Sequence, residues 1–166
     1  MPKILVMPYR RKQEGRTDYK RRLVLLKSGL ARLVIRTSNK SVQAQVVVYE
    51  PDGDRILATA RATDLKKFGW KSATGNTPAA YLTGMLIAHK LAAAKKKYDG
   101  DIIVDIGLQK HHPGGRIYAV VKGAIDGGLS VRVSDEALPD DERVNGAHIN
   151  ESLAKELEAV KTKLTK

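Results

Sequence analysis

The sequence predicts an α/β domain: one mixed sheet, a three-strand antiparallel meander plus a parallel strand, flanked by helices. Three observations carry this expectation. Between residues 31 and 62 three β-rich stretches are joined by connections of a few residues, short enough only for antiparallel neighbours. A helix-patterned segment then leads into "IIVDI" at 102–106, a continuous apolar run of the kind buried on both faces of a parallel pair. Finally, 166 residues of which 42% are hydrophobic suffice for one domain-sized core.

Each element has its own justification. Residues 1–16 hold two prolines and no sustained periodicity, which predicts an extended basic N-terminal arm with no core of its own. A helix is expected next, with Thr17 as its cap and Asp18 at the positive end of its dipole. Tyr19, Leu23 and Leu26 form its apolar stripe, and Ser28-Gly29 stops it. "ARLVIRT" (31–37) alternates, with Leu33 and Ile35 on one face and Arg32, Val34 and Arg36 on the other. "VQAQVVVYE" (42–50), the turn "PDGD" (51–54) and "RILATARA" (55–62) complete the meander.

"GNTPAAYLTG" (75–84) opens a helix, with Thr77 as cap and Pro78 in the first turn, where its missing N–H costs nothing. Lys95, Lys96 and Lys97 stand near its negative end. The strand at 102–106 follows, then a Gly/His/Pro loop, then a helix over 116–126 ended by Gly127-Gly128. "LSVRV" adds a short last strand, residues 134–150 read as an acidic loop, and 151–166 as an amphipathic C-terminal helix. The boundaries are thus an arm at 1–16, a globular body at 17–133 and an acidic tail at 134–166. The order βββ-α-β-α matches a ribonuclease-H-like topology.

Charge narrows the function. The chain carries +12 at neutral pH with a pI near 9.9, an excess that points to a polyanionic partner. Residues 1–40 hold twelve Lys/Arg against two acids, whereas residues 134–166 hold five against eight. There are no cysteines, which excludes disulfides and thiolate metal sites and suits a reducing, cytoplasmic compartment. The opening "MPKILVMPY" is too short an apolar run for a secretory signal, and no segment reaches membrane-spanning length. A membrane surface is disfavoured because the arm has no large apolar stripe to bury in lipid.

Enzyme readings fail on residue type. A nuclease of ribonuclease-H-like fold needs clustered carboxylates around divalent metals. Here the first strand presents Arg32 and Arg36 instead, and Asp105 is the only acid in the buried strand. His111 and His112 are adjacent and point apart in an extended loop, so no metal and no cofactor is expected. "GNTPAAY" and "HHPGGR" could each expose backbone N–H groups to a phosphate, but neither has nucleotide-binding spacing. They read as RNA-backbone contacts or as plain turns and caps.

RNA remains. Arg10, Arg11, Lys12, Arg16, Lys20, Arg21 and Arg22 can each neutralise a phosphate, and Tyr9 and Tyr19 can stack on unpaired bases. The cations continue as Arg32, Arg36 and Lys40. Lys67 and Lys71 flank the only tryptophan, Trp70, which serves either the core or a base stack. His111 is placed to touch a phosphate or a base.

Three segments, "RRKQEGRTDYKRRLVLLKSG" (10–29), "LKKFGWK…TGNTPAAYLTG" (65–84) and "DIGLQKHHPGGRIYAVVKGAIDGGL" (105–129), together resemble the family of the eighteenth large-subunit ribosomal protein, in its archaeal and eukaryotic form. The likeness runs from about residue 8 to residue 143, with the three motifs in order. It implies a non-catalytic ribonuclease-H-like body in the central protuberance of the large subunit, bound to 5S rRNA and touching 23S rRNA. It also implies a neighbouring 5S-binding protein, the fifth of the large subunit, as companion. Carried onto this chain, the resemblance makes Arg10, Arg11, Lys12, Arg16, Thr17, Tyr19, Arg21 and Arg22 rRNA contacts. It adds Lys67, Trp70, Lys71, Thr74 and Asn76 from the second motif, and Lys110, His111 and Arg116 from the third. The tail lacks the long basic extension of eukaryotic members, which points to the archaeal form.

Overall fold

The β-rich stretches form the expected strands in the computed structural model, which describes residues 6–94, 98–147 and 149–164. Strands β1 (Ala31–Thr37), β2 (Val42–Val48) and β3 (Arg55–Arg61) pair as an antiparallel meander. On the other side of β1 lie β4 (Ile102–Asp105) and then β5 (Val131–Arg132), each parallel to its neighbour. The sheet order is β3-β2-β1-β4-β5. Lys95, Lys96 and Lys97 lie outside the described residues.

Alternation places the core. Leu33 pairs with Val46 and Ile35 with Ala44, and these rows continue to Ala58 and Ala60 of β3. All six side chains are buried, on the face covered by helices α3 (Thr77–Ala92) and α4 (Arg116–Asp126). Helix α3 is buried from Pro78 through Ala88 and again at Leu91, as expected of a helix apolar all round. It meets α4 at two glycines. A Cβ at Gly84 would collide with the Val120 carbonyl, and one at Gly123 with the Tyr81 carbonyl. The two backbones therefore touch where no side chain fits.

The C-terminal segment joins this core. In α6 (Glu151–Leu164), Leu153, Leu157, Val160 and Leu164 are all buried, on one helical stripe packed against α3 and the 3-10 turn Ala62–Phe68. Residues 134–150, expected to be loop, include a 3-10 turn at Asp135–Ala137 and a short helix α5 (Asp141–Asn145), which buries Val144. Among the described residues no helix is long and apolar enough to cross a membrane.

The arm differs from the extended form that its sequence predicts. Residues Arg10–Gln13 form one helical turn, α1, in which the Tyr9 carbonyl accepts from the N–H groups of Lys12 and Gln13. Arg10 supports the turn by pairing with Glu14 at 2.8 Å, the favourable i,i+4 spacing. Tyr9 then lies with its ring 4.9 Å from that of Tyr19, so the arm doubles back on the helix it precedes.

That helix, α2 (Tyr19–Lys27), is capped by Asp18 rather than Thr17. The Asp18 carboxylate accepts from the Lys20 and Arg21 backbone N–H groups, while the Thr17 hydroxyl accepts from the Arg11 guanidinium. The cap of α3 is likewise Asn76, not Thr77, with its side chain accepting from the Ala79 N–H. Helix α2 also turns a different face inward. Leu23 is 55% exposed, and Arg22, Leu25 and Leu26 face the body with Tyr19, none of them fully buried.

Candidate nucleic-acid interface

Since α2 buries so little, its attachment is ionic. Arg22 pairs with Asp54 at 2.7 Å, and the same oxygen accepts from Arg32 at 2.7 Å. Arg32 pairs in turn with Asp105 at 3.0 Å, and Asp105 with Arg36 at 3.2 Å. Three guanidiniums and two carboxylates thus alternate in a ladder from α2, across β1, to the end of β4. Burial pushes the Asp54 carboxyl up, but hydrogen bonds from Arg22 and Arg32, with their charges, hold it below the ordinary aspartate value.

The ladder sorts the predicted cations. Arg32 has 1% of its surface exposed and is taken up inside, so it is no phosphate contact. An arginine can be buried there because both of its terminal nitrogens meet carboxylates; removing one partner of such a pair costs about 3–5 kcal/mol. Arg36, in contrast, keeps 47% of its side chain exposed while being held on several sides. It donates to the Ile35 and Asp105 carbonyls at 2.8 Å. Gly107, at φ +61°, lets the chain pass so close that a Cβ there would lie 2.8 Å from the Arg36 guanidinium carbon. Arg36 is therefore a fixed cation with an open side. Asp105 also accepts from the Gly107 N–H, so the strand-end acid is fully engaged.

Trp70 is the second correction. It is 2% exposed and its indole N–H donates to the Ala73 carbonyl at 3.2 Å, which places it in the core and not on a base. Three further residues of the second and third motifs have internal tasks. Thr74 donates its hydroxyl to the Lys40 carbonyl, Asn76 caps α3, and Arg116 donates to the carbonyls of Ser38 and Gly75. Gln109 adds a bond from its amide to the Thr37 carbonyl. On the surface stand Arg10, Arg11, Lys12, Arg16, Lys20, Arg21, Lys40, Lys67, Lys71, Lys110 and His111. The His111 ring lies edge-on to Tyr118, 5.0 Å between centroids.

These internal bonds gather the three motifs at one place. Arg21 of the first reaches the Gly107 carbonyl of the third at 3.3 Å. Thr74 ties the second to the β1–β2 turn, and Arg116 ties the third to both. All meet around the carboxyl end of β1, which sequence reasoning could not show because the partners are 34 to 86 residues apart. Between the arm, α2 and the ends of β1 and β4 lies a cleft of about 510 Å³. Among the described residues no three His, Cys, Asp or Glu side chains are grouped to hold a metal ion.

Comparison with known proteins gives the family. A family model described as ribosomal large subunit proteins 60S L5 and 50S L18 matches residues 5–102. The large ribosomal subunit protein uL18 of Methanoculleus marisnigri is 48% identical over 145 residues, covering 87% of this chain and 81% of that protein. The uL18 of Haloarcula marismortui is 48% identical over 145 residues, covering 87% and 76%. That of Caldivirga maquilingensis is 48% identical over 142 residues, covering 85% and 67%. The chain therefore belongs to the family of ribosomal large-subunit proteins 60S L5 and 50S L18, structural and non-enzymatic components of the cytoplasmic ribosome.

Proposed function

We propose that this chain binds 5S rRNA and helps attach it to 23S rRNA in the central protuberance of the large subunit. Its neighbour there is the other 5S-binding protein, the fifth of the large subunit. The observation that carries this reading is the convergence of three cationic motifs, distant in sequence, on the carboxyl end of β1. Residues 1–16 and the body at 17–133 supply that surface. The segment 134–166, with eight acids against five Lys/Arg, is unsuited to RNA and faces protein.

The strand order β3-β2-β1-β4-β5 supports the ribonuclease-H-like topology implied by the family resemblance. Where a nuclease of that plan would keep free carboxylates, Asp105 is matched by Arg32 and Arg36.

A competition gel shift at 150 mM salt tests the reading, with labelled 5S rRNA against transfer RNA and duplex DNA. The expected result is preference for 5S rRNA. Affinity should fall by about three to five decades between 50 and 200 mM salt, as for about 6 to 10 neutralised phosphates. Equal binding of all three competitors would make the chain a general RNA-binding regulator instead.

A further inference from the structure

The cleft beside the ladder has two kinds of wall. Arg11, Arg16, Arg21 and the fixed Arg36 supply the cationic kind, and Tyr19, Leu25 and Leu108 the apolar kind, with the Tyr9 ring beside that of Tyr19. Leu108 is 56% exposed, although nothing in the fold requires an apolar side chain at that loop position. The carboxylates that also reach the cleft are all engaged: Asp18 caps α2, while Asp54 and Asp105 belong to the ladder. The cleft is thus cationic on balance, with guanidiniums that have N–H groups to offer an incoming anion.

Its position is the one where open α/β sheets hold ligands, outside the carboxyl ends of neighbouring parallel strands. Here those strands are β1 and β4. At about 510 Å³ it falls within the ~300–1,000 Å³ of small-ligand sites. A duplex backbone offers phosphates but nothing for an apolar wall. A free phosphate leaves that wall equally unused. An unpaired nucleotide has both an anionic group and a flat apolar base, and unpaired bases are what RNA-binding proteins read by stacking.

We propose that this cleft seats one unpaired ribonucleotide of the bound RNA. Its phosphate lies against Arg11, Arg16 and Arg21, and its base against Tyr19 and Leu108 beside the Arg36 guanidinium. The proposal rests on the RNA-binding reading above and adds a single-nucleotide socket to it.

The test uses the full chain, intact 5S rRNA and two variants with the same charge change. Leu108→Glu places a carboxylate in the cleft, and Ile149→Glu places one in the acidic segment 134–166, away from the basic motifs. Both positions are exposed, and circular dichroism confirms that each variant folds. Dimethyl sulfate and 2′-hydroxyl acylation then map which RNA positions each protein protects. The expected result is a loss of about tenfold or more in affinity for Leu108→Glu. One unpaired nucleotide, protected by the wild type, should become reactive again, while Ile149→Glu changes affinity less than about threefold. Wild-type affinity and an unchanged footprint for Leu108→Glu would overturn the socket and leave 5S binding intact. Failure of the wild type to bind 5S rRNA would overturn both readings together. Calorimetry with AMP, GMP, CMP and UMP separates the remaining source. Weak, millimolar binding is expected of a lone nucleotide, whereas micromolar binding would assign the cleft to free nucleotides and overturn the RNA assignment.

Discussion

Arg32 and Arg36 stand four residues apart on one strand face, yet one is an interior group and the other a surface cation. Alternation in the sequence places both on the same side of β1 but does not show what lies across it. The carboxylates that separate their fates come from residues 54 and 105, far along the chain. The two cap assignments that shifted by one residue, to Asp18 and Asn76, are a different matter. In each, two capping residue types stand side by side, and the one whose side chain reaches back over the first turn takes the role. Asp54 gives a residue-scale prediction. Its folded carboxyl is held below the ordinary value of 3.8, so its stabilisation is complete at neutral pH. It is lost as pH falls through 3.8 toward the lower folded value. Thermal melts across pH should show Asp54→Asn destabilised at neutral pH and converging on the wild type in acid. A constant gap down to pH 2 would count against the ladder as the source.

Elements were more legible than their partners. The strands at 31–37, 42–48, 55–61 and 102–105 and the helix at 116–126 lie where periodicity puts them. The short pieces Arg10–Gln13 and Asp141–Asn145 leave too few residues for a 3.6-residue period to register, and Ala62–Phe68 is a 3-10 helix whose period is about 3.0. Helix α2 was found but its inward face was not, since an ion pair at Arg22 outweighs the apolar choice of Leu23. The contact between α3 and α4 was also hidden, as glycine carries no pattern. It sets the second prediction. Gly84→Ala and Gly123→Ala each drive a methyl group into a carbonyl of the facing helix, and should cost about 1–3 kcal/mol or more. Chemical denaturation checks this. An Ala→Gly change at the exposed Ala92, the last residue of α3, provides a propensity control expected to cost about 1 kcal/mol or less.

At the scale of the molecule, charge is divided by position in the chain. The first forty residues carry twelve Lys/Arg against two acids, whereas residues 134–166 carry five against eight. The arm at its edge is ordered by a few polar bonds and one ring contact, and buries no side chain of α1. Limited trypsin digestion should therefore cut the free protein at Arg10, Arg11, Lys12 or Arg16 while sparing the body, and cleavage there should be suppressed in complex with 5S rRNA. Equal cutting in both states would show that RNA does not hold the arm. The ladder has a consequence in time as well as space. Synthesis runs from the amino end, so Arg22, Arg32 and Arg36 leave the exit tunnel well before Asp105. Arg32 and Asp105 are 73 residues apart. Until the second carboxylate appears, the three arginines of the ladder have only one of its two acids, Asp54, and β1 cannot settle fully into place. The nascent protein is thus a loose polycation in a compartment crowded with RNA, and its own later sequence ends that exposure.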